Sequence, residues 1–533
     1  MPSTPTTKSQ VQAYRFVLRR MESALTRKDA VMLHEPMRTH QRALAAGAII
    51  SIVGVLGFLI FAVLSPKGHV PDAGNIVVTK SGATYVVAGS PKILVPTPNI
   101  ASAKLLLMAQ AAKGSGGQSF GGSPVEPVLV DDSALENTPK GPLTGIPGAP
   151  EMLPTSAEQR VPPVWSVCDT LTLDKSLPSY QAKPEVVTTA LMGVEETNPR
   201  LSDDNALLVK ASTGQTYLIY NNERGDHTTV RAKVDMNNQQ VVEALRLRDV
   251  VPRLISTPLL NAIPEVDEIT APRIPGAGEK PSYPIGRATV GSVVKVQRAG
   301  QPEEYYVVLR EGVQLVPRAV ADLIRFSNEE SKLTEAAPAD VTKVVPDNRK
   351  LRIDDLPVVV PNSLEIERAP VTCLRWSGKD SKLRTSVSVG GELPMPKDMR
   401  PVKLAQFNKQ SLENVDQAFM PPGRGAVVRS VTTQMEIASG PIFVVSDRGV
   451  KYGVPNPQIA QGLGLGDRYE PAPESILKLL PNGSPLDPAL ADRIYDTLPV
   501  DPNSPRADLP DAPKAGEKEG TGQANSDGGL FGN

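Results

Sequence analysis

One uncharged segment constrains this chain more than any other feature. Residues 44–64 read LAAGAIISIVGVLGFLIFAVL, without a single charged side chain. A helix of this length rises roughly 30 Å, which matches the hydrocarbon core of a bilayer. The segment therefore predicts a transmembrane helix with its limits at Leu44 and Leu64. The alternatives are a cleaved secretory signal, whose leader would be unusually long here and lacks an A-x-A site, and a buried helix of a soluble protein.

Charge is distributed unequally on the two sides of this segment. Residues 1–43 contain eight Lys or Arg and three acidic side chains, whereas residues 65–533 contain 49 basic and 55 acidic groups. Basic residues flanking a membrane helix favour the cytoplasmic side. We therefore expect a single-pass membrane protein, with a cytoplasmic N-terminus and the bulk of the chain outside, in an oxidising space.

The chain has only two cysteines, Cys168 and Cys373, and both lie in the part predicted to be exported. An oxidising compartment favours one disulfide between them. Two buried free thiols are the alternative. A metal site is less favoured, because Cys-x-x-Cys is absent and histidine is scarce outside the membrane.

The only two tryptophans, Trp165 and Trp376, each lie three residues from a cysteine. A Trp side chain has a large apolar area to bury. We expect each ring to pack as an apolar lid over the bridge.

An amphipathic helix is predicted before the membrane segment. Within residues 8–25, Val11, Tyr14, Leu18, Met21 and Leu25 follow one helical stripe. The helix fits either the anionic inner leaflet or a cytoplasmic partner, and the sequence leaves both open. Inside the membrane segment, small residues recur on one face and give a weak indication of helix–helix packing.

Four stretches share a hairpin pattern, in which an apolar β-branched run is followed by a polar turn with Gly and then by Tyr. The four stretches are IVVTKSGATYVV (76–87), LLVKASTGQTYLI (207–219), VVKVQRAGQPEEYYVV (293–308) and FVVSDRGVKYGV (443–454). Their glycine and tyrosine pairs are Gly82 with Tyr85, Gly214 with Tyr217, Gly300 with Tyr305, and Gly449 with Tyr452. The irregular distances between copies predict small repeated β–β–α units separated by other material, rather than a solenoid.

Val-Pro precedes a helix-like segment in three copies, where Pro suits a first helical turn. In the fourth copy, Val454-Pro455 follows the hairpin directly, so we expect this copy to have lost a strand. The second copy lacks Val-Pro and leads into QQVVEALRL.

These patterns predict an α+β, mostly β exterior and the following organisation. The predicted regions are a basic cytoplasmic segment (1–43), the membrane helix (44–64), repeat one (65–111), a loop-rich segment with the first core part and Cys168 (112–200), repeat two (201–250), a linker with repeat three (251–330), the second core part with Cys373 (331–435), repeat four with a C-terminal wrap (436–502) and a disordered tail (503–533).

No motif for catalysis or for cofactor binding stands out. The only Gly-Lys pair, Gly378-Lys379, lacks the upstream glycine of a phosphate-binding loop, and H-E-x-x-H does not occur. His227 lies in a polar loop and is expected to be solvated. The slightly acidic exterior with few aromatics disfavours nucleic-acid binding. We expect no catalytic, cofactor-binding or metal-binding residues.

In its order of features the chain resembles the EccB family, the single-pass membrane component of actinobacterial type VII (ESX) secretion systems. The resemblance rests on the basic helix, the span ending in LSPKG, the G-x-x-Y repeats, GPLTGIPGAP (141–150), WSVCDT (165–170) and TCLRWSG (372–378). It implies that Cys168 pairs with Cys373, and that an elongated periplasmic domain places four repeats around a central β-rich core. It also implies as partners the EccC ATPase, EccD, EccE, the mycosin protease and further EccB copies.

The favoured function is thus a structural subunit of the secretion membrane complex, which anchors and assembles its periplasmic part. Two alternatives stay open. One is an ATP-hydrolysing periplasmic enzyme, since ATPase activity has been ascribed to members of the family, and only then would ATP be a cofactor. The other is a cell-wall (peptidoglycan) binding module, since repeated β units can form binding grooves.

Overall fold

The computed structural model describes most of the chain. The described residues are 7–28, 36–64, 70–114, 124–172, 185–195, 197–222, 229–328, 333–344, 346, 351–360, 362–364, 366, 369–378, 384–405, 414–432 and 439–498. The predicted disordered tail and the loop with His227 lie outside them. The chain divides into two compact units, residues 1–70 with 130–137, and residues 71–129 with 138–533.

Ten α-helices and one 3-10 turn lie in the described residues. They are α1 (Lys8–Arg27), α2 (Pro36–Leu64), α3 (Ile100–Gly114), the 3-10 turn (Asp132–Leu135), α4 (Gln239–Ala244), α5 (Thr257–Ala262), α6 (Arg318–Ser327), α7 (Pro338–Thr342), α8 (Pro457–Gly462), α9 (Glu474–Leu477) and α10 (Pro488–Ala491).

The strands are short, as expected for a chain rich in β-branched residues and turn residues. They are β1 (Ile76–Thr79), β2 (Thr84–Ala88), β3 (Ile93–Thr97), β4 (Val128–Val130), β5 (Leu143–Thr144), β6 (Val164–Thr172), β7 (Glu185–Met192), β8 (Asn205–Lys210), β9 (Thr216–Asn221), β10 (Thr229–Lys233), β11 (Arg253–Leu254), β12 (Glu265–Val266), β13 (Val293–Val296), β14 (Glu304–Val308), β15 (Val313–Val316), β16 (Thr334–Glu335), β17 (Asn362–Ser363), β18 (Val371–Ser377), β19 (Arg384–Gly390), β20 (Val402–Lys403), β21 (Gln417–Phe419), β22 (Ala426–Val431), β23 (Ile442–Val445), β24 (Lys451–Val454), β25 (Glu470–Pro473) and β26 (Ile494–Tyr495).

The first unit holds the two long N-terminal helices. Helix α1 begins at an N-cap, Thr7, whose side chain accepts from the Gln10 backbone N–H while the Gln10 side chain accepts from the Thr7 backbone N–H. Helix α2 ends at Leu64 as predicted and begins earlier than predicted, at Pro36. By length and composition, its stretch His40–Leu59 could cross a membrane.

The second unit is built around a six-stranded central sheet in the order β19-β18-β6-β7-β21-β20. Strand β6 pairs antiparallel with both β18 and β7, so it is central, and most of its side chains are buried on both faces. Strand β6 reads VWSVCDTLT, so burial on both faces encloses polar as well as apolar side chains. The sheet combines two chain segments far apart in sequence.

Repeats two, three and four share one topology. Three antiparallel strands follow one another, a helix comes next, and a fourth strand then pairs parallel to the first strand of the repeat. The parallel pairs are β11 with β8, β16 with β13, and β25 with β22. Each unit is therefore β–β–β–α–β and not the predicted β–β–α. In repeat one, β1 to β3 form the same antiparallel meander before α3.

The expectation that the fourth copy lost a strand is wrong. Its sheet has the order β24-β23-β22-β25, equivalent to β15-β14-β13-β16 in repeat three. The additional strand, β22, lies before the hairpin that the pattern identified, and it begins at Ala426, ahead of the predicted domain start at residue 436. Gly449 and Tyr452 consequently belong to the second hairpin of their repeat, whereas the other three glycines lie in the first.

Shared cores join these repeats within the second unit. Repeats one and four share one hydrophobic cluster, which includes Ile76 and Val86 from one and Val444 and Tyr452 from the other. Repeats four and two pack with the central sheet in the largest cluster. Repeat two in turn shares a cluster with helix α6 of repeat three. The cores thus connect the parts in the order one, four, central sheet, two, three.

Candidate functional site

The disulfide lies in the middle of the central sheet. Strands β6 and β18 are antiparallel, and their register places Cys168 opposite Cys373 and Trp165 opposite Trp376. The two sulfur atoms are bonded, across a sequence separation of 205 residues, and both cysteines are fully buried. Because the strands run in opposite directions, Trp precedes Cys in one and follows it in the other at the same spacing.

The tryptophans do not cover the bridge, so the predicted apolar lid is wrong. Successive side chains of a strand point to opposite faces, and an offset of three residues therefore places Trp and Cys on different faces. The disulfide packs with Leu191, Val371 and Phe419. Trp165 and Trp376 lie instead in the large core that includes repeats two and four.

A buried carboxylate, Asp169, directly follows Cys168 on β6, and our sequence reasoning missed it. It accepts hydrogen bonds from the backbone N–H and the hydroxyl of Ser256, both at 2.7 Å, and from the Thr188 hydroxyl at 2.9 Å. Ser256 is the N-cap of α5, which packs on β6. The one available signal was the single acidic residue in the strand sequence VWSVCDTLT.

The environment of Asp169 disfavours its charged form. Burial raises the pKa of Asp169 to about 6, and the nearby Asp416 carboxylate acts in the same direction, while the hydrogen bonds from Ser256 and Thr188 oppose the shift. All of these partners belong to the protein itself. The group therefore positions α5 on the sheet.

A buried arginine makes a second connection between repeat two and the central sheet. Arg253, on the edge strand of repeat two, donates to the carbonyls of Leu364 and Ala369 at 3.1 Å each and to the Thr372 hydroxyl at 2.9 Å. Thr372 stands opposite Asp169 in the β6–β18 register. Asp169 and Arg253 together hold the segment that follows repeat two against the central sheet.

The four repeat glycines adopt the conformation that their pattern predicts. Gly82, Gly214, Gly300 and Gly449 all have positive φ values, between 75° and 89°. In copies one, two and four the glycine N–H donates to the carbonyl three residues earlier, at 2.9 Å. Copy three has an insertion in its turn, and its turn closes one residue after the glycine, where the Gln301 N–H donates to the Arg298 carbonyl at 3.2 Å.

The repeat tyrosines have different surroundings. Tyr85 is half-buried with the Lys140 ammonium 5.6 Å from its ring centre, and Tyr452 is fully buried in the core shared by repeats one and four. The hydroxyls of Tyr217 and Tyr305 donate to Gln215 and Glu303, each two residues earlier on the chain. These tyrosines make packing contacts rather than a common binding site.

The segment GPLTGIPGAP also has a packing role. Strand β5 pairs with β26, and the Gly145 N–H donates to the Arg493 carbonyl. The Ile146 N–H donates to the Ser102 hydroxyl at 2.9 Å, on α3. A side chain at Gly145 would meet Ser102 Cβ at 2.7 Å. The segment thus holds the C-terminal part of the chain against repeat one.

In the first unit, apolar side chains are exposed to solvent. The predicted stripe on α1 is exposed, with Tyr14 and Leu25 the most accessible of its five members at 67% and 83%. The described side chains of α2 over 40–59 are exposed throughout. Such surfaces need lipid or protein to cover them.

Comparison with known proteins agrees with this geometry. Residues 3–500 match the family model described as type VII secretion system ESX-1, transport TM domain B. The chain is 31% identical over 522 residues to the ESX-3 secretion system ATPase EccB3 of Mycobacterium tuberculosis H37Rv, covering 93% of this chain and 90% of that protein. It is 30% identical over 509 residues to the ESX-5 secretion system ATPase EccB5 of Mycobacterium marinum, covering 93% and 94%.

Solved structures share the fold. A chain in the intact ESX-5 inner membrane complex matches with a TM-score of 0.66 and 28% identity, covering 96% of this chain and 99% of that one. The EccB3 dimer from the ESX-3 core complex matches with a TM-score of 0.64 and 27% identity, covering 79% of this chain and all of the other.

Proposed function

Because this chain belongs to the EccB family and is a structural subunit of the type VII secretion membrane complex, we propose that it anchors the complex and organises its periplasmic part. The observation that carries the proposal is the combination of one exposed apolar helix with a large domain whose central sheet contains a disulfide bond. The helix supplies an anchor, and the buried cores supply a rigid body for assembly.

The charge distribution supports one orientation. The basic segment 1–43 would lie in the cytoplasm, and the disulfide-containing domain would lie in the periplasm, where disulfides persist. In this orientation α1 would lie at the cytoplasmic face of the bilayer.

The family and the similar complexes also suggest partners. We expect further copies of this chain, the EccC ATPase, EccD, EccE and the mycosin protease to associate with it. The exposed stripe on α1 is the surface that would contact cytoplasmic parts, and the alternative for it is the anionic inner leaflet.

A mass-spectrometric inventory of the solubilised complex tests this proposal. The chain is purified from its native membrane in mild detergent, and we expect the companion membrane proteins at constant ratios. Leu18→Glu interrupts the α1 stripe and should reduce the yield of companions that dock on it. Gln12→Glu adds the same charge beside the stripe, and this matched control should retain all companions. A wild-type chain that purifies alone would contradict the proposal.

ATP hydrolysis is a second candidate, favoured by the names of the curated relatives. Its test is the hydrolysis rate of the purified full chain. Gly378-Lys379 is the only Gly-Lys pair, so Lys379→Met is the first variant to compare. An ATP hydrolysis rate that co-purifies with the chain and is abolished by one substitution would support an enzyme. An ATP hydrolysis rate that no substitution changes would indicate a contaminating ATPase.

A further inference from the structure

Repeat four contains a cavity whose lining carries a buried charge. It has a volume of about 390 Å³ and is lined by residues of β22, β23, β24 and the region of α9, including Ser430, Phe443, Lys451, Glu474 and Lys478. The volume lies in the range that small organic ligands occupy. The lining combines an aromatic ring, hydroxyl groups and two ammonium groups.

Lys451 is the unusual member of this lining. Its residue is 8% exposed, and its ammonium group donates to the Leu477 carbonyl at 2.5 Å. Among the residues that the structure describes, no carboxylate lies within 4.0 Å of this ammonium. Glu474, the acid in the cavity wall, pairs instead with Lys478 at 2.5 Å. One buried positive charge in the cavity is therefore left without a counter-ion from the described part of the chain.

A second buried lysine shows how the same fold compensates such a charge. Lys104 on α3 is 4% exposed and donates to the Leu463 carbonyl at 3.2 Å. Its ammonium also has the Glu126 carboxylate at 4.0 Å. The two lysines thus share burial and a carbonyl acceptor, but only Lys104 has a carboxylate beside it.

The environment of Lys451 disfavours its positive charge. Burial lowers its pKa, and the Lys478 ammonium lowers it further. For Lys104 burial also lowers the pKa, but Glu126 opposes the shift. Burying a charge without a partner is costly, and a negative group of a ligand would offset this cost.

We propose that the repeat-four cavity binds a small organic anion, whose carboxylate or phosphate group pairs with the Lys451 ammonium. The Ser430 hydroxyl lies in the same wall and can donate to that group, and Phe443, also in the lining, supplies apolar surface for the rest of the ligand. Glu474 stays neutralised by Lys478, so the cavity keeps a net positive charge.

Phenyl phosphate, benzoate and phenol are suitable probes, since they share a ring and differ in charge. Calorimetric titration of the full chain in detergent, at constant ionic strength, should show saturable binding of at least one of the two anions. Phenol should bind much more weakly. Lys451→Met should weaken anion binding by about tenfold or more, because it removes the charge and keeps the apolar stem.

Lys104→Met is the matched control and should leave anion binding unchanged. Lys478→Met is a second test variant at a more exposed position, which does not depend on the folding of the Lys451 variant. It frees the Glu474 carboxylate and should also weaken anion binding. The proposal is overturned by an absence of saturable anion binding, by equal affinity of phenol, or by unchanged affinity in both test variants.

Discussion

At the scale of single residues, whether two side chains three positions apart contact each other depends on whether they lie on a helix or on a strand. The three-residue offset between Trp and Cys suggested a contact, as it would on a helix. On a strand the same offset separates Trp165 from Cys168, because an odd number of steps leads to the other face. The sequence therefore predicted the bridge correctly and the neighbours of the bridge wrongly.

Gly449 and Gly214 test the repeat turns as a matched pair. Both have positive φ, so alanine at either position should cost about 1–2 kcal/mol of stability. A Cβ at Gly214 would meet open space, whereas one at Gly449 would collide with Ala418 Cβ on β21. Gly449→Ala should therefore cost roughly 1–3 kcal/mol more than Gly214→Ala.

Melting temperatures of the two solubilised variants provide the comparison. Equal losses for both would show that repeat four does not approach the central sheet as closely as described.

Asp169 predicts a pH dependence of stability. Its pKa is raised to about 6 in the folded chain, above its unfolded value, so its stabilising contribution is complete below about pH 4 and is lost as the pH rises through 6. A shift of this size corresponds to about 3 kcal/mol. Asp169→Asn cannot titrate, and the stability of the wild type relative to this variant should fall by about that amount between pH 4 and pH 7.

Denaturation series at several pH values measure this difference. Asp398→Asn, on an exposed residue, is the control and should follow the wild type. Parallel pH curves for wild type and Asp169→Asn would contradict the assignment.

At the scale of elements, local patterns predicted hairpins and helices well and predicted their grouping less well. The Gly-Tyr motif found true turns with positive φ in all four copies. It could not show that Gly449 lies in the second hairpin of its repeat, because β22 is separated from that hairpin by a polar stretch and carries no motif. The parallel fourth strands are only two to four residues long and pair with distant partners, so no local signal marks them.

The disulfide joins β6 and β18, and its removal should destabilise the fold strongly. Closing a loop of 205 residues contributes on the order of 5 kcal/mol in the chain-entropy model. Cys168→Ala, Cys373→Ala and the double variant should lower the melting temperature by similar amounts, since each removes the same bridge.

Tryptophan fluorescence distinguishes the two faces of the sheet. Trp165 and Trp376 pack away from the bridge, so the folded double variant should keep the emission of buried tryptophan. A red-shifted emission from a still folded double variant would favour a tryptophan lid over the bridge.

At the scale of the whole molecule, the second unit is a series of shared cores, from repeat one through repeat four and the central sheet to repeats two and three. The sequence predicted the number of repeats but not this order, since repeat four follows repeat three in the chain and packs with repeat one. Contacts between distant segments determine the order, and one sequence does not reveal them.

Leu323 on α6 tests this order. It is buried in the core that repeats two and three share, so Leu323→Ala should cost about 2–5 kcal/mol there. Hydrogen exchange should increase in repeats two and three and stay unchanged in repeats one and four. A uniform increase over all four repeats would contradict the serial arrangement.

The central claim is that the chain crosses the membrane once, with the basic segment 1–43 in the cytoplasm and the disulfide-containing domain on the outer side. Its two native cysteines are bonded, so single introduced cysteines report position through a membrane-impermeant maleimide. We predict that Lys280→Cys is labelled in spheroplasts of the native host, and that Lys8→Cys is labelled only after lysis. Labelling of Lys8→Cys in intact spheroplasts, with protection of Lys280→Cys, would contradict this topology.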